Sequence, residues 1–196
     1  MIENINIERM RDLFYKVILL NEIGGKTEYI YKFSDPDGIQ TGKSGWSFGL
    51  VQYDVNNNAN AIHALRDIGF TTDEISGIKD QTIDILPMND KLLLNKEAVD
   101  RWDQVQLSEC LSIADSLSEE SGCMFIDPYV ILHVADYHNQ FGMSRGGKMF
   151  SFLRDKKDMV RAEDIKDFKL KLIWGIKRPD DVIRRYNNIV KVVSLW

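Results

Sequence analysis

The run Gly42-Lys43-Ser44-Gly45-Trp46-Ser47-Phe48-Gly49-Leu50-Val51-Gln52-Tyr53-Asp54 is the most informative stretch of this chain. Its glycines, at 42, 45 and 49, permit sharp backbone turns. Trp46, Phe48 and Tyr53 offer flat apolar faces, and Gln52 and Asp54 offer polar ends. Aromatic platforms interleaved with an amide and a carboxylate match the chemistry of a carbohydrate cleft.

Upstream, Met10, Leu13, Phe14, Val17, Ile18 and Leu20 fall at helical spacing between Ile7 and Asn21. Gly24-Gly25 supplies the stop, which leaves Glu22 in the last turn, four residues beyond Ile18 on the edge of the apolar stripe. A carboxyl placed there is partly desolvated and suits a group that must hold a proton near neutral pH. From Thr27 to Phe33, Tyr29, Tyr31 and Phe33 alternate with Glu28, Ile30 and Lys32 at period two, which predicts a short strand. Ser34-Asp35-Pro36-Asp37-Gly38 is a turn by composition, after which Gly42 to Val51 returns to form a small hairpin.

Gly49-Leu50-Val51-Gln52-Tyr53-Asp54 resembles the Gly-Leu-Met-Gln-Val-Asp run of goose-type lysozymes, and its first part resembles the Gly-Leu-Met-Gln run of lytic transglycosylases. In those families a helix-borne glutamate precedes the run, as Glu22 does here. The resemblance covers the first third of the chain. It implies a lysozyme-like glycoside hydrolase, mainly α (α+β), built as a helical bundle around a central helix with a small β-hairpin beside the cleft. The implied reaction is cleavage of peptidoglycan or a related amino-sugar polymer, with Glu22 as general acid and Asp54 as second carboxylate; Asp35 and Asp37 are alternatives. The resemblance makes Gln52 and Ser47 substrate contacts, and Trp46 and Tyr53 offer faces for stacking on sugar rings. The segment between Glu22 and Gly49 is longer than in the goose-type pattern and departs from it.

Downstream the chain reads as helical almost throughout. Ala59 to Ile68 ends at Gly69, Thr71-Thr72-Asp73-Glu74 matches a capping box, and Pro87 with Asn89 separates that region from Leu92-Leu93-Leu94, read as buried all round. Gln104 to Leu117 is amphipathic, Asp127-Pro128 is a helix start, and Tyr129 to Phe141 is the central helix. Glu163 to Trp174 and Asp180 to Val193 complete the set. Within the central helix, His133, Asp136, Tyr137 and Gln140 share a face while His138 lies on another, which argues against a metal site and for a buried hydrogen-bond network or a cleft wall. The lysozyme resemblance makes Tyr137 and Asn139 substrate-contact candidates.

A chain of 196 residues with 44% apolar content supports one domain. Its net charge of −5 is uneven: Met143 to Trp196 carries fourteen Lys/Arg against seven Asp/Glu, whereas the preceding part is strongly acidic. A basic C-terminal third suits an anionic polymer such as peptidoglycan, whereas an acidic groove suits a cationic one such as chitosan. Cys110 and Cys123 are read as free thiols. The N-terminus has no secretory pattern and no run is long enough to span a membrane. The expectation is a monomer made in the cytoplasm and delivered to the cell wall by another system, as phage endolysins and antibacterial effectors are. Neither nucleic acid nor membrane is expected as a partner. No cofactor is expected: Gly42-Lys43-Ser44 lacks the upstream glycine of a phosphate loop, and no nucleophile elbow is present. The reading from another class is a cell-wall-binding or virion structural module that kept such a core without turnover.

Overall fold

A computed structural model describes residues 7–35, 44–156 and 159–195. The described residues are mainly helical, with ten helices and one two-stranded antiparallel sheet. The chain divides into two compact units, one formed by Met1–Asn21 with Leu107–Trp196 and the other by Glu22–Gln106.

The second unit, here the hairpin unit, begins with the last turn of α1 (Ile7–Ile23), and the glycines Gly24 and Gly25 then take left-handed φ values and end that helix. Thr27 to Phe33 is not a strand. It opens with a 3-10 turn at Thr27–Tyr29, and it buries Ile30 and Phe33, three apart, while Tyr29 stays 41% exposed. Aromatic alternation gave a period of two, but only a turn-like spacing of three lets this short segment bury its apolar residues.

The hairpin lies wholly inside the glycine-aromatic run, at residues 47–54. Strand β1 (Ser47–Phe48) pairs with β2 (Tyr53–Asp54), and Ser34 adds an isolated bridge to Ser47. The rings of Phe48 and Tyr53 pack at a tilt, 5.5 Å apart, and Phe33 packs on both Phe48 and Phe70, so these rings form the unit's core. Burying each such ring contributes about 1.5–3 kcal/mol. Tyr53 is therefore a core residue and no sugar platform, a correction to the aromatic-face reading.

Helix α2 (Ala59–Ile68) starts at Asn58, whose side chain accepts from the amide of Asn60, and stops at Gly69 with φ 101°. Helix α3 (Thr72–Lys79) has the expected capping box between Thr71 and Glu74. Helix α4 (Ile85–Leu94) contains Pro87 instead of being separated by it, because a first-turn residue needs no N–H partner. Of the three leucines only Leu92 is buried; Leu94 is 83% exposed. Helix α5 (Lys96–Ser121) starts eight residues before the expected Gln104, and its first half closes the hairpin unit.

In the other unit, α6 (Val130–Phe141) is buried at eight successive residues, Val130 to Tyr137, as expected of a central helix. It starts two residues later than Pro128 suggested: Asp127 accepts from the amide of Tyr129 at 2.8 Å and caps the turn before the helix. At its other end the amide of Met143 donates to Nδ1 of His138. Helix α7 (Lys148–Asp155) was not anticipated. The expected Glu163–Trp174 helix is two elements, α8 (Ala162–Lys171) and α9 (Ile173–Lys177), before α10 (Pro179–Ser194) opens with Pro179. Around α6, the Asp136 carboxylate accepts from Arg185 at 2.6 and 3.2 Å, from Lys169 at 2.9 Å and from Asn21 at 2.9 Å, so it ties α10, α8 and α1 to the central helix. Burial raises its pKa, but the charges of Arg185 and Lys169 outweigh burial and hold it well below the usual carboxylate range. Of the polar residues that share a face of α6, Asp136 is the one held in this buried network, while Gln140 donates to Asp181 at 3.4 Å and His133 lies against the ring of Tyr186. Cys110 and Cys123 are buried thiols, and no described helix is long and apolar enough to cross a membrane.

Candidate functional site

Glu22 stands half-buried in the last turn of α1, at the head of the hairpin unit. Trp46, Ser47, Gln52 and Asp54 are brought together in the hairpin of that same unit. Tyr137 and Asn139 belong to the other unit. There Tyr137 is buried, with its ring 5.2 Å from Phe141 and 6.0 Å from Phe168, and burial raises its hydroxyl pKa. Asn139 accepts a weak bond from the Cys110 thiol at 3.9 Å.

The turn Gly49-Leu50-Val51-Gln52 joins the two strands. Gly49 has φ 77° and donates its amide to the carbonyl of Ile30. Gln52 has φ 55°, a left-handed conformation that non-glycine residues adopt rarely and that recurs at functional sites. Its side chain is held from both ends: the Ser34 hydroxyl donates to Oε1 at 2.5 Å, and Nε2 donates to the carbonyl of Gly49 at 2.8 Å. Among the described residues each end keeps one further hydrogen-bonding position, a lone pair on Oε1 and an N–H on Nε2.

Asp54 is engaged on every side. Ser44 Oγ and Asn57 Nδ2 donate to Oδ2 at 2.6 and 2.8 Å, and the amides of Gly45, Asn56 and Asn57 donate to Oδ1 at 3.2, 2.8 and 3.2 Å. Partial burial pushes its pKa up, but these bonds outweigh burial and leave it below the ordinary value. A carboxylate with a lowered pKa and five donors is a weak base that anchors its loop. Ser47 is buried, and its amide and carbonyl both pair with Ser34. Its backbone thus serves the hairpin instead of lining an open surface. Trp46 is half-buried, and its indole N–H is buried without a hydrogen-bond partner among the described residues. Asp35 accepts from Gln81 at 3.2 Å, and Asp37 lies outside the described residues.

A scan against protein-family models finds no match, and searches of curated proteins and of solved structures find none either. Among the described residues no group of three or more His, Cys, Asp or Glu could hold a metal ion.

The residue that sequence reasoning missed is Asp103 on α5. Its carboxylate accepts the amide of Leu50 at 2.9 Å and that of Val51 at 3.3 Å, and it is only 2% exposed. The signal was in the sequence. Val99, Asp103 and Leu107 are spaced by four along one stripe, so an acid stands where the pattern calls for an apolar residue.

Proposed function

We propose that this protein is a lysozyme-like glycosidase that cleaves peptidoglycan or a related amino-sugar polymer, with Glu22 as the general acid. The observation that carries the reading is a half-buried carboxyl in the closing turn of α1, heading the unit whose hairpin turn is Gly-Leu-Val-Gln with Gln52 held in a left-handed conformation. Protonated Glu22 gives its proton to the glycosidic oxygen as the bond from that oxygen to the sugar carbon breaks. Positive charge develops on the ring, and the Glu22 carboxylate then takes the proton of the incoming nucleophile. The remaining donor and acceptor positions of Gln52 suit sugar hydroxyls or acetamides.

A second branch of the same chemistry draws support from the occupied oxygens of Asp54. With that carboxylate engaged by five donors, the nucleophile is more readily the sugar's own hydroxyl, as in lytic transglycosylases, than a water activated by Asp54. Clearing of purified sacculi by the full chain tests both. Glu22→Gln is expected to lower the rate by about 10²–10⁴-fold with the fold unchanged. Asp54→Asn is expected to lower Tm and leave measurable turnover. Equal clearing by wild type and Glu22→Gln would remove Glu22 from the chemistry. Products lighter by one water than the hydrolytic ones identify the transglycosylase branch. Binding to sacculi with no clearing by wild type supports the structural-module reading instead.

A further inference from the structure

We propose that Asp103 is a proton-operated positioning residue: its ionised carboxylate grips the amides of Leu50 and Val51 and fixes the turn that carries Gln52, and protonation loosens that grip. The effect on turnover rests on the glycan-cleaving reading above; the grip itself does not.

The geometry is that of a clamp. Each carboxylate oxygen of Asp103 receives one backbone N–H of the turn. The carboxylate also lies hard against Gly49, where an added Cβ would stand 2.7 Å from Asp103 Oδ1. Gly49 is thus required by its left-handed backbone and by this close approach. Gln52 follows directly in the same turn, and its side chain closes back onto the carbonyl of Gly49. A shift of the gripped amides therefore moves the amide group offered to substrate.

The charge on Asp103 has little to hold it. Among the described residues no ion pair involves Asp103. From its own helix it feels Asp100, a like charge that disfavours ionisation, while the neighbouring Arg101 is committed to Asp67 at 2.7 Å. From the turn it meets the two amides, and the four turn residues carry no ionisable side chain. On β2, Asp54 is engaged with Ser44, Gly45, Asn56 and Asn57. Burial pushes the Asp103 carboxyl up to about 7, against the pull of the two amides. Its proton thus exchanges near neutral pH. An amide bond to an ionised oxygen is roughly twice as strong as one to a neutral oxygen, so the turn is held more tightly above that pH than below it.

The test needs no substitution for its first arm. In the full-length wild type, the amide resonances of Leu50 and Val51 and the side-chain carboxyl carbon of Asp103 are followed from about pH 5 to about pH 9. All three are expected to move with one common midpoint, and in Asp103→Asn the two amides are expected to stay flat. Amides that do not titrate in wild type, or that titrate identically in the variant, overturn the proposal. In the second arm, clearing of sacculi by wild type is expected to fall as pH drops through the same midpoint. Asp103→Asn is expected to lose that inflection and to run about 10–100-fold slower above it. A purely structural aspartate would change the rate without moving the inflection with the amides, and that result also overturns the proposal. Titrating amides in a protein that clears nothing at any pH uphold the grip and remove the glycan-cleaving reading.

Discussion

Gln52 holds a backbone conformation that glycine would adopt freely, at φ 55°, and a left-handed non-glycine residue costs of order 1 kcal/mol. Its side chain offsets that through the bonds to Ser34 and to the Gly49 carbonyl. The two contributions separate by substitution. Gln52→Ala loses the bonds and keeps the strain, whereas Gln52→Gly loses the bonds and relieves it. Thermal unfolding should therefore show Gln52→Ala less stable than Gln52→Gly by about 1 kcal/mol. Equal Tm values would mean the backbone carries no strain there. At this scale the sequence was informative about residue type and less so about job. Gln52 was singled out for the motif that contains it, but Asp54 looks the same in sequence whether it is a base or an anchor. Only its five donors distinguish the two.

Element boundaries were legible wherever a local chemical stop exists. The caps at Asn58, Gly69, Thr71 and Gly142 stand where their residue types put them. The failures share a cause, which is that burial in three dimensions overrode a local pattern. Thr27 to Phe33 has strand composition without a strand's burial, and α5 runs back to Lys96 because Val99 and Asp103 are buried on its inner stripe. The break between α8 and α9 was hidden in an apolar run. It depends on Gly175, where an added Cβ would stand 2.0 Å from the carbonyl oxygen of Lys169. Gly175→Ala must push α9 away from α8, and calorimetry should find a loss of about 1–3 kcal/mol. A neutral result would show that the corner between those helices is soft.

At the scale of the molecule, three buried ionisable groups set opposing pH dependences. Burial holds His133 down to about 4, so its contribution to stability is complete above its unfolded value near 6.5 and is lost as pH falls toward 4. Asp136, held below the ordinary range, adds a further loss below about pH 4. Asp103 runs the other way: with its folded pKa raised to about 7, its contribution is complete below about pH 4 and is lost as pH rises to 7. Tm measured against pH should therefore rise more steeply from pH 4 to 7 in Asp103→Asn than in wild type, and less steeply in His133→Gln. Parallel curves for all three proteins would contradict these assignments. The boundaries of the two compact units were not legible in the sequence, because no linker or composition shift marks either: one falls in the last turn of α1 and the other inside α5.

The network around Asp136 also bears on the order in which the chain can assemble. Asn21 donates to Asp136 and accepts from Asn188, a partner 167 positions later in the chain. A ribosome releases the chain from its N-terminal end at about 5–20 residues per second. The end of the first helix is thus out for many seconds before the last helix that secures it has been made. Residues 22–106 are synthesised as one uninterrupted stretch, whereas the other unit reaches its final packing only after α10 has been made.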